Sequence, residues 1–150
     1  MCRYSFTTYK PHLACFRCRK SFKRRLKQDI DPAGSDKPPK CPDCGGAVAD
    51  MGLDFKAPSR GRVAQWTLLE ELFTIGVTFH SCGCSGPGYR PKARSELHAF
   101  LVQTIQSYET QLDHWTAGAV ARGAPLAERT AAMLHWHELI AAARAALARV

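Results

Sequence analysis

Apolar residues in the second half of the chain recur at steps of three and four, the period of helices that each bury one face. Val63, Trp66, Leu69, Leu72 and Phe73 follow it and predict a helix ending near Gly76, a residue suited to the C-cap. Leu97, Leu101, Ile105, Tyr108, Leu112 and Trp115 form a longer stripe, with Ser95 placed to cap it and Gly118 and Gly123 to break it. Pro125 then opens a last helix at its first turn, where a missing N–H costs nothing. Along that helix Leu126, Met133, Trp136, Ile140, Ala143, Leu147 and Val150 repeat in near-heptad order. Two such helices joined by a short glycine-containing link are expected to pack as an antiparallel hairpin.

The first half reads differently. Residues 3–9 are β-branched and aromatic with partial alternation, which predicts a strand leading through Pro11. Val48, Met51, Leu53 and Phe55 make a short apolar segment suited to a returning strand, and Val77–His80 to another. Asp31-Pro32, Gly34 and Pro38-Pro39 mark residues 28–40 as a loop, and Lys56–Arg62 reads as a basic linker. The expected fold class is α+β: a β-rich ribbon over 1–62, a helix–strand–loop element over 63–94, and a helical hairpin over 95–150.

Chemistry enters with the cysteines. Cys15-Phe-Arg-Cys18 and Cys41-Pro-Asp-Cys44 are two C-x-x-C pairs with 22 residues between them. Each spacing bends into a tight turn that aims two sulfurs at one point, and four thiolates suffice for a closed tetrahedral metal site. No thioredoxin-like βαβ pattern surrounds either pair, which disfavours redox pairs.

The quartet, with Gly45 after the last ligand and Phe22 four residues beyond Cys18, resembles the zinc-ribbon superfamily with rubredoxin-type knuckles. The resemblance covers residues 3–56, about a third of the chain. It implies a β-rich module stapled by one structural zinc, of a kind common in nucleic-acid-bound proteins. It names a fold and not a function. Iron is the rival metal, since four sulfurs hold either. The cationic character, and Arg19 where a rubredoxin knuckle would have glycine, make electron transfer the poorer expectation.

Charge sharpens the reading. Of the formal net charge of +8, all falls in residues 1–62, with 14 Lys/Arg against 6 Asp/Glu, while residues 63–150 balance at 7 against 7. Arg17, Arg19, Lys20, Lys23, Arg24, Arg25 and Lys27 place seven cations in eleven residues. Such density suits a polyanion, so these residues are the expected phosphate contacts, with Phe16 or Tyr9 stacking a base. The bland alternative is a solvated basic face. No helix-turn-helix pattern coincides with the run, which favours RNA, such as ribosomal RNA, over a specific DNA site.

A second constellation, His80, Cys82 and Cys84, would share a face if the strand continued. Cys2, His12 or water would supply a fourth ligand, and water there would make the site catalytic in type. The alternative is that these residues only pack a loop. His135 and His137 flank Trp136 and read as surface histidines, while the three tryptophans read as core. No Ser-His-Asp order, phosphate-binding glycine loop or H-E-x-x-H motif is present, so little points to an enzyme.

The hairpin offers a different class of function: docking a partner helix or a second copy, with the ribbon only organising the fold. No apolar run reaches membrane-span length and no signal-peptide pattern opens the chain, so the expected setting is the cytoplasm, where thiols stay reduced.

Overall fold

The structure is a computed structural model that describes residues 10–23, 38–79, 90–117 and 123–150. The mixed α+β class expected from the sequence is what the chain adopts, and it divides into two compact units. One comprises residues 1–73 and 77–90; the other comprises 74–76 and 91–150.

The first unit is built around a three-stranded antiparallel sheet of order β2-β1-β3: β1 is His12–Cys15, β2 Lys20–Lys23 and β3 Ala49–Asp50. Leu13 pairs with Phe22 and Cys15 with Lys20 on one side of β1, and Ala14 pairs with Ala49 on the other. As the central strand, β1 buries Leu13, Ala14 and Cys15. The expected strand at residues 3–9 lies outside the described residues. The returning strand is shorter than its apolar pattern suggests, because Gly52 holds φ at +90° and turns the chain out of β3.

Helix α1, Val63–Thr74, covers this sheet. Trp66 packs with Ala14, Ala49, Met51 and Phe55, and Phe16 and Phe73 border the cluster. The helix ends in a Schellman closure: Gly76 takes φ +83° and the Val77 N–H donates to the Leu72 carbonyl at 3.0 Å. Gly76 is thus the cap its sequence position predicts. Val77–Phe79 does not form the expected strand. Phe79 instead makes two isolated backbone bonds, its N–H to Met51 O at 2.8 Å and its carbonyl from Asp54 N–H at 3.1 Å, which the kinked chain at Gly52 cannot extend into a ladder.

In the second unit, α2 (Leu97–Thr116) and α3 (Leu126–Leu147) form the expected antiparallel pair. Direction follows from the side chains. Arg129, one turn into α3, donates from Nε to Trp115 O at 3.0 Å and from Nη2 to Thr116 O at 2.6 Å. Further along α3, Trp136 meets Tyr108 at 5.4 Å between ring centroids, and Arg144 pairs with Glu109 at 2.6 Å. A guanidinium on the last carbonyls of α2 opposes the negative end of its dipole. The buried face holds Leu97, Phe100, Leu101, Thr104, Ile105, Ile140, Ala143 and Ala146.

Helix ends and faces depart from the sequence pattern in three places. Ser95 does not cap α2, because a 3-10 turn at Arg94–Glu96 precedes the helix and Glu96 accepts the Lys92 N–H at 2.8 Å instead. Pro125 sits at the cap of α3, one position before its first helical residue. Leu126 and Val150, assigned to the buried stripe by heptad spacing, are exposed, the first at the start of α3 and the second beyond its end. Trp66 is buried, whereas Trp115 and Trp136 are half-buried. No helix among the described residues is long and apolar enough to cross a membrane.

Candidate metal centre

Both C-x-x-C segments turn as their spacing requires. In the first, β1 delivers Cys15, the Arg19 N–H returns to the Phe16 carbonyl at 3.2 Å, and the Cys18 N–H points at Cys15 Sγ at 3.4 Å. In the second, the Gly45 N–H bonds the Cys41 carbonyl at 2.8 Å and the Cys41 N–H bonds Gly46 O at 2.8 Å, with Lys40 bridged to Ala47. The residue after each second cysteine is left-handed, Arg19 at φ +50° and Gly45 at φ +68°. That twist carries the chain away from the sulfurs, so the turn presents them without obstruction.

The two turns bring all four sulfurs together, every pair within 4.8 Å. Cys15 Sγ lies 3.7 Å from Cys44 Sγ, and Cys41 Sγ lies 3.9 Å from Cys18 Sγ. A tetrahedron of thiolates at about 2.3 Å from a central zinc has edges of about 3.8 Å. These two separations match those edges and the other four stay within 4.8 Å, so the donor set fits one tetrahedral metal ion. Four protein ligands close such a site and leave no position for water, which makes its role structural. Cys15 and Cys41 are buried, Cys18 and Cys44 half-buried.

Thiols this close titrate unevenly when no cation balances them. Cys41 falls to about 7 because the Cys44 backbone N–H, and behind it that of Asp43, donates to its sulfur. Cys18 is pushed up to about 12, chiefly by its hydrogen bond with Cys44, and burial raises Cys15. A divalent cation reverses this, since it stabilises every ligand as thiolate.

Besides the cluster of Ala14, Ala49, Met51, Phe55 and Trp66, the described residues of this unit bury Leu13, Leu68, Leu72 and Val77. Structural zinc contributes on the order of 10 kcal/mol in small modules, and a metal held by these four cysteines would add to that burial. Lys20 and Asp43 form an ion pair that ties the residue after the first knuckle to the interior of the second. Both are about half exposed, so the pair orients the knuckles more than it stabilises them.

The remaining sequence candidates lie apart from the four sulfurs or outside the described residues. Arg17, Lys20 and Lys23 are exposed and Arg19 is half-buried, all on the first knuckle and β2. Arg24, Arg25, Lys27, Tyr9, Cys2, His80, Cys82 and Cys84 lie outside the described residues. Phe16 is spent on packing: its ring meets Trp66 at 6.3 Å and Phe73 at 5.9 Å between centroids. His12 lies in β1, edge-on to Phe55 at 6.3 Å, and its pKa is lowered first by burial and then by Lys23.

Two cations of the same unit, Arg60 and Arg62, were read from sequence only as linker. They lie on an exposed turn just before α1, and the Arg60 carbonyl accepts the Arg19 Nε–H at 3.1 Å. That contact spans 41 residues, and no local pattern announces it. No protein-family model matches the chain, and neither does any curated protein or solved structure.

Proposed function

We propose that the chain is a zinc-ribbon nucleic-acid-binding protein that holds RNA through phosphate contacts. The observation that carries this reading is the tetrahedral cysteine cluster seated in a strongly basic unit. The metal fixes two turns, and those turns and the adjoining strand display Arg17, Lys20 and Lys23 at the surface. Cations at this density gain most from a polyanion that releases its counterions on binding. Zinc is favoured over iron because the unit is cationic and Arg19 stands where a rubredoxin-type knuckle has glycine. With Phe16 packed, binding rests on charge and is tolerant of base sequence.

The test is a titration of metal-loaded protein against labelled RNA and DNA from low to physiological salt. Affinity that falls steeply with salt supports the phosphate contacts, and tighter binding of RNA than of DNA supports RNA as the ligand. Affinity that is flat with salt overturns it.

A second reading has its own observation. Leu126 and Leu134 on α3 are 78% and 60% exposed, which suits a protein partner or a second copy of the chain. A concentration-dependent dimer that binds no RNA would favour that alternative. A metalloenzyme built on His80, Cys82 and Cys84 would require metal-dependent turnover that Cys84→Ser abolishes.

A further inference from the structure

We propose that the RNA site is composite: the turn Ser59–Arg62, tethered to the first knuckle, presents Arg60 and Arg62 together with Arg17 as one phosphate-binding surface. This rests on the RNA-binding reading above and adds residues that the run of cations at 17–27 does not contain.

The tether is double. Arg19 donates from Nε to the Arg60 carbonyl at 3.1 Å, and Trp66 donates from Nε1 to the Ser59 carbonyl at 3.2 Å. Trp66 also meets the ring of Phe16, inside the same knuckle turn that Arg19 ends. The turn itself is closed by the Arg62 N–H on Ser59 O at 3.0 Å. The Ser59 and Arg60 carbonyls are therefore both engaged, while the Arg60 and Arg62 residues are exposed. None of the described carboxylates pairs with Arg17, Arg60 or Arg62.

Arg19 is what singles this surface out. Among the described residues it is the one non-glycine at positive φ, in a position where the second knuckle uses Gly45. Backbone geometry favours glycine there. The arginine gives the knuckle something glycine cannot, a planar donor that reaches the turn through Nε and stays charged. Guanidinium groups held on a fixed turn lose less freedom when they bind phosphate than groups on a free linker. The ligand class is the phosphodiester backbone of RNA, recognised without regard to base.

The experiment is fluorescence anisotropy of the full chain, zinc-loaded, with a labelled 20-nucleotide single-stranded RNA across a salt series. Proteins compared are wild type, R60Q/R62Q, R19G and, as a control from the second unit, R149Q. Metal content is measured on each, and the exposed positions of the double variant leave it unchanged. Each lost phosphate contact flattens the log–log salt slope by about 0.7 for a single strand, so R60Q/R62Q should flatten it by about 1.4. R19G should weaken binding while keeping its metal, and R149Q should match wild type. A double variant with the wild-type slope overturns the composite site and leaves RNA binding by the knuckle standing. Wild type that carries its metal but binds no RNA overturns both readings. Polyglutamate of equal charge displacing RNA as well as RNA itself does would assign the surface to an acidic protein instead.

Discussion

Arg19 and Gly45 occupy the same place in two successive knuckles, and both hold left-handed backbone, at φ +50° and +68°. A side chain in that region costs about 1–2 kcal/mol relative to glycine. At Gly45 an added Cβ meets nothing within 4 Å, so the penalty there is conformational alone. Gly45→Ala should therefore lower the stability of the metal-loaded protein by about 1 kcal/mol with metal retained. Arg19→Gly relieves the same strain but loses a hydrogen bond and adds freedom to the unfolded chain, for a net change within about 1 kcal/mol. Denaturant midpoints of the two variants check the sign of the first and the small size of the second. A larger loss for Arg19→Gly than for Gly45→Ala would show that the tether to Arg60 outweighs the backbone strain.

Metal removal should open the first unit's core, since the two turns that flank its sheet are joined through the four cysteines. The Trp66 indole N–H, bonded to Ser59 O, is the probe. Its hydrogen exchange should be slow in metal-loaded protein and fast after chelation. Exchange that stays slow without metal would mean that apolar packing alone holds the unit.

His12 should titrate below its ordinary value of 6.5, because burial and then Lys23 disfavour the charged ring. The folded state then binds its proton less readily than the unfolded chain does. Its contribution to stability is complete above 6.5 and is lost as pH falls through the lowered folded value. Lys23→Gln should raise the His12 pKa only part of the way to 6.5, since burial is the larger cause. Imidazole NMR shifts across pH read this directly, and a pKa at or above 6.5 in wild type would contradict it.

In the second unit, Gly76 is held by more than its φ of +83°. A Cβ there would sit 2.8 Å from Leu139 Cδ2. Gly76→Ala should cost about 1–3 kcal/mol, combining backbone strain with displacement of Leu139. Tyr108 donates its hydroxyl to Ile75 O at 2.8 Å beside it, so Tyr108→Phe should cost about 1 kcal/mol. Thermal unfolding monitored by helical signal tests both, and equal midpoints for Gly76→Ala and wild type would remove Leu139 from the argument.

What was legible in the sequence was local. The C-x-x-C pairs declare their own turns, Gly76 declares a cap, and the stripes on α2 and α3 declare a buried face, because each depends on residues within a few positions. The strand Lys20–Lys23 reads Lys-Ser-Phe-Lys and carries no apolar alternation; it exists because the knuckle folds it back onto β1. Leu126 fits the heptad yet is exposed, since spacing alone does not say where a neighbouring helix ends. Phe16 looked available because it stands between cysteines, but Trp66, fifty residues on, claims its ring. The Arg19–Arg60 contact is of the same kind. Tertiary partners decide such positions, and one sequence does not name them.

The most direct measurement is the metal stoichiometry of the intact chain by native mass spectrometry, alongside Cys41→Ser. The geometry of Cys15, Cys18, Cys41 and Cys44 predicts one metal ion per chain in the wild type and none retained in the variant. A wild-type chain that keeps no metal, yet still protects the Trp66 indole from exchange, would contradict it.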